Sequence, residues 1–166
     1  NVNGNITATN NGGTGAIIAA TNHLTINVVG DINTQGEKNG AFEAAGIFFQ
    51  DQGVGFENNN NTINLTGNIT TSGADAAGIY MARSNFNAIN VIGSISTTGA
   101  NAPGIHLNTL SNSNTYTVTG NIITSGTGGN AEPILLENSD SNTFTLSGAV
   151  HSLGGDQAIA VDATSQ

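Results

Sequence analysis

The sequence predicts an all-β protein wound as a parallel β-helix, a β-solenoid, and three observations carry that expectation. The first is self-similarity. Asn61–Tyr80, NTINLTGNITTSGADAAGIY, returns from Asn87 as NAINVIGSISTTGANAPGIHL and from Asn114 as NTYTVTGNIITSGTGGNAEPILL. The second is the spacing of a glycine anchor. Gly4, Gly30, Gly67, Gly93, Gly120 and Gly148 lie 26, 37, 26, 27 and 28 residues apart, which predicts about six coils of 26–28 residues with one enlarged coil. Periods of this size mark solenoids and related arrays. The third is alternation. Two residues after each anchor stands Ile6, Ile32, Ile69, Ile95, Ile122 or Val150, an unbroken apolar column in segments that alternate apolar and polar and so read as half-buried strands.

Composition agrees. With 23 Gly, 26 Asn and only 2 Pro in 166 residues, the chain is rich in turn formers and poor in helical periodicity. A single domain, 1–166, suffices for this length.

In chain order, the first coil is degenerate, with Gly4, Ile6 and then Thr14-Gly15-Ala16-Ile17 standing where later coils have Ala76-Ala77-Gly78-Ile79. The second coil opens a first strand in which Ile26 and Val28 alternate with Thr25 and Asn27; Ile63 and Leu65, Ile89 and Val91, Tyr116 and Val118, and Phe144 and Leu146 repeat it. A further inward pair follows the second glycine: Ile47 and Phe49, Ile79 and Met81, Ile105 and Leu107, Ile134 and Leu136, Ile159 and Val161. Between them, the step after the anchor carries a third strand with Thr34, Thr71, Thr97, Thr124 and Ser152 in the inward phase. Their hydroxyls are expected to stack as an internal ladder, satisfying one another and the local backbone.

Two polar columns precede each first strand. Asn22, Asn59, Asn85, Asn112 and Asp140 form one; Asn61, Asn87, Asn114 and Asn142 form the other, which Leu24 interrupts. Asparagine tolerates left-handed backbone and bonds turn amides, so stacked corner amide ladders are expected. One coil alone buries too little to offset its ordering entropy, and stability must come from stacking.

Charge limits the partners. Eleven acidic residues face two basic ones, Lys38 and Arg83, for a net charge of −9. No basic patch exists to neutralise phosphates, which argues against nucleic acid and anionic membrane. No apolar run approaches the length of a spanning helix, and the lack of cysteine removes disulfides and thiolate metal sites.

The pattern T-x-T-x-x-G-x-I-x-T-S-G-x-x-A-x-G-I, carried by Asn61–Tyr80 and Asn87–Leu107, resembles the passenger β-helix of autotransporters, the type V secreted proteins of Gram-negative bacteria. The resemblance covers nearly the whole chain. It implies a right-handed parallel β-helix exported to the outside of the outer membrane, followed in such proteins by a translocating barrel that this sequence does not contain. The expected function is therefore a non-enzymatic extracellular scaffold, an adhesin-like segment that mediates adhesion, self-association or filament formation.

Other classes are weaker on chemistry. A β-helical polysaccharide lyase or hydrolase, the alternative, needs clustered carboxylates or a basic residue, and an acidic sugar would meet a surface of its own sign. His23, His106 and His151 fall in different columns with no triad or zinc spacing. Asp75, Asp156 and Asp162 lack the nonapeptide calcium repeat, so neither metal nor cofactor is expected. Ice binding needs outward threonines at regular spacing, and the outward column Thr7, Asn33, Thr70, Ser96, Ile123, His151 is irregular; that class ranks behind the others.

The enlarged coil holds the candidate partner-binding loops. Nine residues separate Gly36 from Gly46 where four separate Gly73 from Gly78, and twelve separate Gly46 from Asn59 where six separate Gly78 from Asn85. These insertions, within 37–57, present Glu37, Phe42, Glu43, Asp51, Phe56 and Glu57, and insertions on a solenoid commonly bind. Open coil ends are expected to pair with a continuation of the helix or with a second copy stacked head to tail; a surface receptor or glycan is the other expected partner.

Overall fold

The computed structural model describes residues 1–9, 17–19, 21–38, 44–50 and 58–162. Among them are eighteen strands and no helix, arranged as three six-stranded parallel sheets. The first sheet collects Val2–Asn3, Thr25–Val29, Thr62–Thr66, Ala88–Ile92, Thr115–Thr119 and Thr143–Leu146; the second, Ile6–Ala8, Ile32–Thr34, Ile69–Thr71, Ile95–Thr97, Ile122–Thr124 and Val150–Ser152; the third, Ile17–Ala19, Ala45–Gln50, Ala77–Ala82, Ile105–Asn108, Ile134–Glu137 and Ile159–Val161. Each coil contributes one strand to each sheet in turn. The chain is a β-solenoid in which five turns separate the first strand of a sheet from its last.

Register places like on like. Ile26, Ile63, Ile89, Tyr116 and Phe144 stack in the first sheet. Ile32, Ile69, Ile95, Ile122 and Val150 stack in the second, and Ile47, Ile79, Ile105, Ile134 and Ile159 in the third. These columns converge on one core between the sheets. Where the first column turns aromatic, Tyr116 and Phe144 stack with ring centroids 4.8 Å apart, and the buried Tyr116 hydroxyl donates to Met81 Sδ at 2.5 Å.

The glycine anchors explain how coils close up. Gly93 has φ +151°, and a Cβ there would overlap the Gly67 carbonyl oxygen one coil below. Only a residue without a side chain allows both the backbone angle and the approach.

Asparagines hold the corners. The side-chain Oδ1 of Asn61, Asn87, Asn114 and Asn142 each accepts the backbone N–H of the residue one coil earlier (Leu24, Asn61, Asn87 and Asn114) at 2.8–2.9 Å. Their Nδ2 groups donate to the carbonyls of Thr21, Asn58, Ser84 and Ser111, each at 2.8 Å. The neighbouring column runs the other way. Asn22, Asn59, Asn85 and Asn112 accept the backbone N–H of the residue one coil later at 2.7–2.8 Å. Between the two columns sits a left-handed residue in each coil: His23, Asn60, Phe86, Ser113 or Ser141, with φ of 56–59°.

The threonine column differs from the expected hydroxyl stack. Thr71, Thr97 and Thr124 are buried, but each hydroxyl donates within its own coil, to the carbonyl of Ala76, Ala102 or Ala131 at 2.8, 2.6 and 2.5 Å. The bond spans the turn from the second sheet into the third. An acceptor five to seven residues ahead lies nearer than the next coil's hydroxyl, so the turn wins the donor. In the enlarged coil the hydroxyl of Thr34 has no partner among the described residues.

Candidate functional site

One face outside the core carries chemistry. The third sheet presents the outward column Phe48, Tyr80, His106, Leu135 and Ala160, in register from strand to strand. Outward phase ordinarily means solvent on a solenoid, yet Phe48 is 3% and Tyr80 5% exposed. They form a second apolar cluster with Ala45, Ala77 and Ala82. The Phe48 and Tyr80 rings stack at 5.5 Å, and Tyr80 meets the His106 ring edge-on at 5.2 Å.

His106 links that aromatic strip to carboxylates. Its Nε2 lies 2.6 Å from Glu137 Oε2 on the next strand. The hydrogen bond to His106 holds the Glu137 carboxyl below its ordinary value. Glu132, in the turn that leads into the same strand, is pushed upward instead, first by burial and then by the charges of Asp156 and Glu137. One carboxylate oxygen of Glu132 and one of Asp156 are buried without a hydrogen-bond partner among the described residues. No group of three or more His, Asp or Glu side chains suited to a metal ion occurs among the described residues.

The last described coil adds a slot of about 230 Å³ lined by Ile134, Leu136, Asn142, Phe144, Leu146, Ile159 and Val161. It is the apolar cross-section of the solenoid, with Ile159 and Val161 more than half exposed.

Of the loop residues singled out from the sequence, Glu37 is exposed just beyond the strand Ile32–Thr34; Phe42, Glu43, Asp51, Phe56 and Glu57 lie outside the described residues. Asn61, Asn87, Asn114 and Asn142 come together in one corner ladder. Sequence reasoning treated the histidines as isolated and missed the His106–Glu137 pair. The signal was available in the column Phe48, Tyr80, His106, whose alternation with inward Ile and Phe, Met or Leu makes an aromatic strip on one face. The outward threonines are more numerous on the first sheet, at Thr25, Thr62, Thr66, Thr115, Thr117, Thr119, Thr143 and Thr145, although the strand Ala88–Ile92 between them carries none. No family model matches the chain, and no curated protein or solved structure matches it either.

Proposed function

We propose that the chain is a non-enzymatic β-helical scaffold displayed outside a Gram-negative outer membrane, an adhesin-like passenger segment that holds a surface for contact with a receptor, a glycan or another copy of itself. The observation that carries the reading is the use made of its polar side chains. Corner asparagines and inward threonines, the polar side chains that recur in every regular coil, are committed to backbone groups of adjacent coils or of the same turn. Such a chain is specialised for keeping its shape. The autotransporter-like repeat pattern supports export. The apolar slot of the last described coil supports axial pairing with a further coil, whether from a longer passenger or from a second copy.

The test is display of the chain on a bacterial surface, with adhesion to host cells, to immobilised glycans and to sister cells measured against a scrambled-coil control. Adhesion or aggregation that follows the folded chain supports the reading; none on any surface contradicts it.

The second reading is a carbohydrate-active enzyme, which would draw on the carboxylates gathered around His106, namely Glu137 at 2.6 Å together with Glu132 and Asp156. Incubation with neutral and acidic polysaccharides separates the two. Release of reducing ends that Glu132→Gln abolishes selects the enzyme, and no release counts against it.

A further inference from the structure

We infer that the outward face of the first sheet is a binding surface for ordered water, an ice-binding face built on the solenoid independently of its display at a cell surface. The face is a lattice. Parallel pairing in strict register sets rows about 4.8 Å apart, and alternate residues along each strand stand about 6.6 to 6.8 Å apart.

One of its columns is uniform in shape. Val29, Thr66, Ile92 and Thr119 pair in sequence, and every one is β-branched, so each presents a methyl group in a stiff rotamer. Val29 and Ile92 are 55% and 61% exposed, so their methyl groups stand open on the face. A second column reads Thr25, Thr62, Ala88, Thr115 and Thr143. Between them runs Asn27, Asn64, Asn90, Thr117 and Thr145, in which the Nδ2 of Asn64 donates to Asn27 Oδ1 and that of Asn90 to Asn64 Oδ1, both at 2.8 Å. Those bonds lock the amides to the strand repeat.

The chemistry of the face selects its occupant. In a chain of net charge −9, the described strands of this sheet point no ionisable side chain outward, so neither cations nor anionic surfaces find a counter-charge. Sugar polymers are gripped by stacking on aromatic rings, and the aromatics of this sheet, Tyr116 and Phe144, pack against each other in the core column. Protein partners anchor on Trp, Tyr or Arg, and none of these points out of this sheet. What remains is a neutral, periodic array of hydroxyls, amides and methyl groups held rigid before binding, and an ice plane is a neutral, periodic array of oxygens repeating on the same scale. Preorganisation removes most of the ordering cost of such contact.

The test is ice-affinity partitioning and thermal hysteresis of the purified chain, with microcrystalline cellulose as a competing solid. The unaltered protein is expected to enter ice, to open a gap between freezing and melting, and to leave cellulose unbound. Thr66→Lys and Thr119→Lys, at exposed positions on the lattice, are expected to abolish both effects, while Thr70→Lys, exposed on the second sheet, keeps them. Circular dichroism checks that each variant is folded; should either lysine variant unfold, Thr66→Ser, which removes only a methyl group, is expected to weaken partitioning. Exclusion of the unaltered protein from ice overturns the inference, as does retention on cellulose alone or an equal loss from Thr70→Lys.

Discussion

At the scale of single residues, the corner between the two asparagine columns fixes a conformation that most side chains resist. Phe86 occupies it with φ +57° and is 62% exposed, whereas the equivalent residue one coil earlier is Asn60 at φ +58°. A left-handed conformation costs an ordinary L-residue about 1–2 kcal/mol, and asparagine less. Phe86→Asn is therefore expected to stabilise the chain by about 1 kcal/mol, read as a higher denaturant midpoint at unchanged slope; a lower midpoint would mean that the ring contributes packing. The two glutamates respond to pH with opposite signs. Glu137 is held below the ordinary value of 4.5 by His106, so the folded form binds its proton less readily than the unfolded one; its contribution is present above pH 4.5 and lost as pH falls through its depressed value. Glu132 is held above 4.5 by burial, so its ionised form weakens the fold as pH rises, and acid relieves that cost. Melting temperatures from pH 3 to 8 check this. Glu132→Gln is expected to raise the midpoint at pH 7 and Glu137→Gln to lower it, with both differences shrinking in acid.

At the scale of elements, a strand here is defined less by its own sequence than by what sits one coil above and below. Gly93→Ala would add a methyl group against the Gly67 carbonyl at a backbone angle of +151°, and this one substitution is expected to cost several kcal/mol because neither carbonyl nor φ is free to yield. Urea unfolding measures it, and a loss below about 1 kcal/mol would contradict the stacking geometry. Much of this level was legible in the sequence. Gly30, Gly67, Gly93 and Gly120 mark the coil, and period-two alternation assigns Ile63, Leu65 and Ile69 to the core, because in a parallel stack one residue's phase is repeated by every equivalent. What was not legible depends on the path of the turns. Thr71 reaches Ala76 only because the turn between them folds back, and no spacing rule reveals that. The opposite polarity of the Asn85 and Asn87 ladders is equally hidden, since both positions read simply as asparagine. Tyr80 and His106 are in-register partners on adjacent strands, and Glu137 is a diagonal neighbour of His106, so a search along the chain for triad or zinc spacing does not encounter the strip.

At the scale of the whole molecule, stability belongs to interfaces between coils, and a coil with two neighbours is held more firmly than one with a single neighbour. Ile95 is fully buried between Ile69 and Ile122, whereas Val150 is half-buried beside Ile122 on the last strand of the second sheet. Ile95→Ala is expected to cost about 2–5 kcal/mol, and Val150→Ala less than half of that, with the loss confined to fraying of the last coil. The most direct test of the claim that side chains are spent on joining coils is native-state hydrogen exchange at the corners. Asn87 Oδ1 accepts the Asn61 N–H one coil below, and Asn85 Oδ1 accepts the Asn112 N–H one coil above. In the unaltered chain, the amides of Asn61 and Asn112 are expected to be protected as strongly as neighbouring strand amides. Asn87→Leu, which places at this corner the residue found at Leu24, is expected to release Asn61 alone, and Asn85→Leu to release Asn112 alone. Fast exchange at both corners in the unaltered chain, or loss of protection on the same side from both variants, would contradict the account.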